Sequence, residues 1–183
     1  MLEEREKLRQ SYQPPKVRLL FVGEAPPASG RFFYNRDSGL YRAMREAFQA
    51  ADPAITDDNF LSVFRESGCY LIDTCSEAVD HLDERARRRE RVANEASLAR
   101  RIQELRPPVI VVLLKSLREN VERAAQHAGW QGRLIDVPYP GRWVRFREEF
   151  VKAMIPELRS VLGRHLVDGI DDQDFDGHHS RPE

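Results

Sequence analysis

A chain of 183 residues with 41% hydrophobic content can bury one substantial core and is too short for two comfortable domains. Its formal charge of −1 gives no sign of a globally basic nucleic-acid binder, so any contact with DNA must come from a local patch. No stretch approaches the roughly 20 apolar residues of a bilayer span, and residues 1–16 are charged without an apolar signal core. Two cysteines, Cys69 and Cys75, are too few for a four-thiolate cluster. The expectation is a monomeric, cytoplasmic protein in a reducing compartment, with no membrane contact.

In chain order, residues 1–16 read as an N-terminal extension: a charged, helix-capable run stopped by Pro14 and Pro15. The domain proper then begins at Val17. Val17–Val22 is an apolar run closing at Gly23, the pattern of a strand buried on both faces, and Gly23–Gly30 is a loop. Ser38 can cap a helix whose Leu40, Met44, Ala47 and Phe48 form one apolar stripe. Asp57 or Asp58 can start a short helix carrying Phe60, Leu61 and Phe64, followed after Gly68 by a second strand, Cys69–Thr74.

Residues 83–106 carry Val92, Ala96, Ala99, Ile102 and Leu105 at helical spacing, which predicts one long surface helix ended by Pro107 and Pro108. Val109–Leu114 is the clearest buried strand, Ser116 can cap a helix running to Ala128, Arg133–Val137 is a fourth strand, and Val144–Leu166 is a last amphipathic helix. Strands alternating with helices define an α/β fold: a three-layer α/β/α sandwich over residues 17–166 with a central, mostly parallel four-stranded sheet. Its ligand belongs at the carboxyl ends of the strands, in the loops after Val22, Ile72 and Val137. The acidic segment 167–183 is expected to be without order.

The loop after the first strand reads Gly23-Glu24-Ala25-Pro26-Pro27, and Gly30-Arg31-Phe32-Phe33 and Ser38-Gly39-Leu40 follow it. The VIVVLLK strand and Tyr139-Pro140-Gly141-Arg142 complete the series. In this order, over residues 17–160, these segments resemble the uracil-DNA glycosylase superfamily, and most nearly its GEAPG-type, iron-sulfur-containing branch. The cluster of that branch needs four cysteines, so it has no counterpart here.

The resemblance implies a protein that flips a damaged or deaminated base out of DNA and cleaves its N-glycosidic bond without metal or cofactor. It implies that Gly23, Ala25 and Pro26 line the base and sugar pocket, that Phe33 stacks on the base, and that Pro140, Gly141 and Arg142 form the second motif. Glu24, Asp73 and Tyr139 then stand as the catalytic candidates.

Two departures alter the chemistry. Asp73 occupies the place of an asparagine that reads the base edge, and an ionised aspartate only accepts, so a base presenting two donors, or a protonated one, fits better than uracil. Tyr139 falls where the family has a histidine, leaving Arg142 as the nearby cation. Glu24 reads either as the motif carboxylate acting on water or sugar, or as a group that pairs with an arginine or caps a turn.

Twenty-five of the 29 basic residues are arginines, which suits bidentate phosphate contact and equally reflects a GC-rich coding bias. Arg85, Arg87, Arg88, Arg89 and Arg91 concentrate charge after the second strand. They either grip the DNA backbone or form a solvated face balanced by Glu84, Glu90 and Glu95. A catalytically inactive nucleic-acid or nucleotide-binding module on the same fold is the alternative to the glycosylase reading.

Overall fold

A computed structural model of the chain describes residues 2–141 and 143–168. Of the segment 167–183, expected to lack order, residues 167 and 168 continue the last helix, and the rest, with Arg142, lies outside the described residues. Four strands, β1 (Leu19–Gly23), β2 (Cys69–Asp73), β3 (Val109–Val112) and β4 (Arg133–Asp136), pair in the order β2-β1-β3-β4. Every pairing is parallel, with Gly23 beside Asp73 at the carboxyl end. Parallel neighbours require crossovers, and the intervening helices supply them.

The helices are α1 (Leu2–Ser11), α2 (Gly39–Ala51), α3 (Phe60–Glu66), α4 (Glu84–Ala93), α5 (Glu95–Leu105), α6 (Arg118–His127) and α7 (Val144–Asp168). Right-handed crossovers place α2 and α3 on one face of the sheet and α5 and α6 on the other, because the chain crosses the sheet in opposite directions before and after β2. The packing follows: α2 lies against α7, and α5 against α6. Both faces of β1 are therefore covered, and all five of its residues are buried. Leu19, Leu20 and Phe21 are fully buried, each worth about 1.5–3 kcal/mol of apolar burial.

Ser38 caps α2 as expected, its hydroxyl accepting from the Tyr41 N–H at 3.1 Å. The long helix expected over 83–106 is in fact two. Arg91 is buried on the α4 side and Glu95 on the α5 side, so the chain bends at Asn94 to bury both. The Asn94 side-chain amide closes α4 by donating to the Glu90 carbonyl at 2.9 Å. Val92, counted in the apolar stripe of a single helix, is left 49% exposed. The helix after β3 also starts later than Ser116, since Lys115–Leu117 forms a 3₁₀ turn that leads into α6.

The N-terminal helix is not a detached extension. β2 is an edge strand, and its outward N–H and carbonyl at Leu71 are both taken by the Tyr34 hydroxyl, at 2.9 and 3.0 Å. Tyr12 stacks on Tyr34 with ring centroids 5.2 Å apart, and Leu8 packs on the same core. This docking sets α1 beside the carboxyl end of β2. No helix among the described residues is long and apolar enough to cross a membrane.

Candidate functional site

Past the strands, the β1 and β2 chains stay zipped together. The Thr74 N–H and hydroxyl donate to the Gly23 carbonyl at 2.8 and 3.0 Å, and the Cys75 N–H donates to the Glu24 carbonyl at 2.8 Å. The far side of the loop is held by Asp80, whose carboxylate accepts from the Ala28 N–H at 3.1 Å. A cleft of about 390 Å³ opens between this loop, the end of β2, α1 and α5. Arg5, Arg9, Pro26, Phe32, Asp73 and Arg101 are among its walls. A wider hollow of about 690 Å³ adjoins it and shares Arg5, Cys75, Ser76 and Asn94.

Asp73 is the last residue of β2, and its carboxylate lies over Gly23. A Cβ at Gly23 would sit 2.6 Å from Asp73 Oδ1, so only glycine leaves this carboxylate its place. Burial pushes the Asp73 carboxyl up to about 6, and the guanidiniums of Arg9, Arg101 and Arg5 offset only part of that rise. No hydrogen bond to the carboxylate from the described residues contributes. Arg101 is committed to the backbone instead, donating to the Asp73 carbonyl at 2.7 Å and the Thr74 carbonyl at 3.2 Å. Asp73 is thus a desolvated acceptor open to the cleft.

Glu24 lies in the opposite situation. Arg87 binds both of its oxygens, Arg91 donates to Oε1 at 2.7 Å, and the carboxylate is 11% exposed. Arg91, itself 4% exposed at its side chain, also pairs with Glu84 at 2.6 Å. The arginine-pairing alternative is the one the geometry displays, and Glu24 is not among the walls of the 390 Å³ cleft. The ion pairs tie α4 to the loop after β1.

Phe33 is corrected by its surroundings. It is 3% exposed and packs edge-on against Tyr34, Tyr41 and Phe60, inside the aromatic core. Its neighbour Phe32 faces the cleft and carries the Arg5 guanidinium 5.6 Å from its ring centroid. The chain enters a 3₁₀ turn at Phe33, which sends these adjacent side chains in different directions.

Tyr139 is 39% exposed, and its phenol is raised by burial and by the charge of Asp73, which places the two groups in one electrostatic neighbourhood. Its ring covers Gly141, where a Cβ would meet it at 2.7 Å. Gly141 in turn presses on the start of α2, its carbonyl 2.7 Å from where a Gly39 Cβ would stand. These contacts bring the second motif and the Ser38-Gly39-Leu40 helix start together. Of the expected site residues Pro26 and Asp73 line the cleft, whereas Gly23, Glu24, Ala25, Phe33, Tyr139, Pro140 and Gly141 are not among its walls, and Arg142 lies outside the described residues.

Of the arginine run, Arg87 and Arg91 serve Glu24, while Arg85, Arg88 and Arg89 are exposed on α4. The cleft-lining residues that sequence reasoning missed include Arg5 and Arg9 on α1, Arg101 on α5, and Phe32. Arg5 and Arg9 stand one helical turn apart, next to the Leu8 and Tyr12 packing face, and that spacing was the available signal.

The all-parallel α/β sandwich places this cleft at the carboxyl edge of its sheet, where open α/β folds bind their ligands. The model of the uracil DNA glycosylase superfamily matches residues 10–161, and the chain belongs to that superfamily. Comparison with curated proteins gives no match.

Proposed function

We propose that this protein is a DNA glycosylase that draws a damaged or deaminated base into the cleft and hydrolyses its N-glycosidic bond. The supporting observation is Asp73: an acceptor without a described protein donor, at the floor of a cleft large enough for a base, between Pro26 and Phe32. In this reading Asp73 holds the hydrogen-bonding edge of the base, and the Arg5 guanidinium that lies over the buried Phe32 ring is the planar group beside it. The base leaves with the bond electrons as an anion, water adds to the sugar carbon, and the proton that water gives up neutralises the departed base; Tyr139, which is not a wall of the cleft, is the hydroxyl of the second motif that would have to reach the leaving base. Glu24 keeps the loop in place through Arg87 and Arg91. The exposed Arg85, Arg88 and Arg89 lie on α4, just beyond the loop that closes the cleft, and grip backbone phosphates.

The test is a set of oligonucleotides, each carrying one modified base, scored for alkali-sensitive nicks. The proposal expects nicks with at least one lesion and their loss in Asp73→Ala; nicks that survive this change would refute the assigned role. A second reading is favoured by one observation: Glu24 is saturated by two guanidiniums and a tyrosine replaces the family's histidine, so neither motif supplies a group ready to act on water or the leaving base. That reading is a binding module, and it expects salt-dependent retention of DNA with no abasic product.

A further inference from the structure

The chemistry of the cleft walls also bears on which base they read, and this step rests on the glycosylase reading above. Bases differ in the donors and acceptors along their pairing edge. Uracil presents one ring N–H flanked by carbonyl oxygens. Cytosine and adenine each set an amino group beside a ring-nitrogen lone pair. Guanine alone among the common bases sets a ring N–H directly beside an amino group, giving two adjacent donors.

We infer that the cleft selects a base bearing guanine's pairing edge, with Asp73 accepting from its two adjacent donors and Arg5 donating to the acceptors on the neighbouring edge. Asp73 Oδ1 lies 2.6 Å from where a Gly23 Cβ would stand, so the carboxylate keeps this place beside the cleft only with glycine at 23. An anion held out of water against a carbonyl or a ring lone pair makes a repulsive contact and leaves an acceptor unmet, which disfavours uracil, cytosine and adenine. Arginine is the side chain best shaped for the paired acceptors of guanine, and Arg5 stands over the Phe32 ring in the same cleft. A volume of about 390 Å³ admits a purine. The same positions explain the tyrosine at 139: a base gripped by a guanidinium at its carbonyl oxygen already faces a positive charge there, so a cationic residue in the second motif is not required.

Equilibrium binding of guanosine, inosine and uridine 5′-monophosphates to the full chain, followed by NMR to millimolar nucleotide, tests this directly. Inosine differs from guanosine only by the missing amino group. Guanosine is expected to bind about tenfold more tightly than inosine, the worth of one hydrogen bond to a charged acceptor, with uridine weakest. Asp73→Asn, which restores a donor beside an acceptor, is expected to weaken guanosine and strengthen uridine until their order reverses. Arg5→Gln is expected to weaken guanosine and inosine alike, because both carry the same acceptors.

Equal affinity for guanosine and inosine, or uridine binding as tightly as guanosine, overturns the inference while leaving a glycosylase of another specificity standing. Absence of saturable binding by all three nucleotides overturns the inference and the cleft's assignment together. Should Asp73→Asn fail to fold, the wild-type ratios and Arg5→Gln decide the matter.

Discussion

Glu24 and Asp73 stand one residue past β1 and at the last residue of β2, on neighbouring strands, yet their surroundings are opposed. Glu24 is met by the guanidiniums of Arg87 and Arg91, and its charge is compensated where it lies. Asp73 has cations at a distance, no described donor in contact, and a carboxyl pushed up to about 6. This contrast in partners marks which carboxylate is structural and which is available to a ligand. Glu24 ties α4 to the loop after β1, and Asp73 faces the cleft.

The largest effect expected from this contrast is on chemistry. Asp73→Ala should reduce base release from a substrate oligonucleotide by on the order of 100-fold, whereas Glu24→Gln should keep release within about tenfold of the wild type. The reverse ranking in single-turnover assays would return the catalytic carboxylate to position 24.

Next comes stability. Arg91→Ala removes a buried cation from between Glu24 and Glu84 and should cost about 2 kcal/mol, a fall in Tm of roughly 4–8 °C by calorimetry. The figure lies at the low end for broken ion pairs because Glu84 is 70% exposed.

The pH dependence of stability reports on Asp73. The Asp73 carboxyl titrates near 6 in the folded chain against an ordinary 3.8, so the folded state holds this proton more tightly than the unfolded one. Stability from this group is therefore lost as pH rises from about 4 to about 6, and the ionised form carries a cost of about 3 kcal/mol at neutral pH. Asp73→Asn should be more stable than the wild type at neutral pH by up to that amount and lack this slope, as read by urea unfolding across the range. An unchanged slope would mean that Arg5, Arg9 and Arg101, with Glu6, Tyr70 and Tyr139 around them, leave Asp73 at its ordinary value.

The smallest effects belong to the exposed arginines. Arg88→Ala and Arg89→Ala should each lower the salt dependence of DNA retention by about one ion and leave Tm unchanged, whereas Arg87→Ala should lower Tm instead.

Much of the frame was legible in the chain. The apolar runs around Phe21 and Val111, the Ser38 cap and the position of the Gly23–Pro27 loop carry strong local signals, because burial on both faces and helix capping leave their marks in adjacent residues. The site was legible only in part. Asp73 stood out as a departure in a motif. Phe32 and Phe33 are identical in type and adjacent, and only the 3₁₀ turn beginning at Phe33 decides which one meets the cleft. Arg5 and Arg9 look like ordinary surface charge until Tyr12 stacks on Tyr34 and fixes α1 beside β2. The break at Asn94 was hidden for a similar reason. Helical periodicity reads straight through it, and the two buried charges that force it, Arg91 and Glu95, find their partners on distant elements.

The account rests on Asp73 being a desolvated carboxylate that waits for a ligand. Its side-chain carboxyl carbon, followed by NMR through an acid titration of the free protein, reads that property without any assumption about substrate. A midpoint near 6 is the expected result. A midpoint at the ordinary 3.8 would show a solvated or fully paired group and contradict the role given to it.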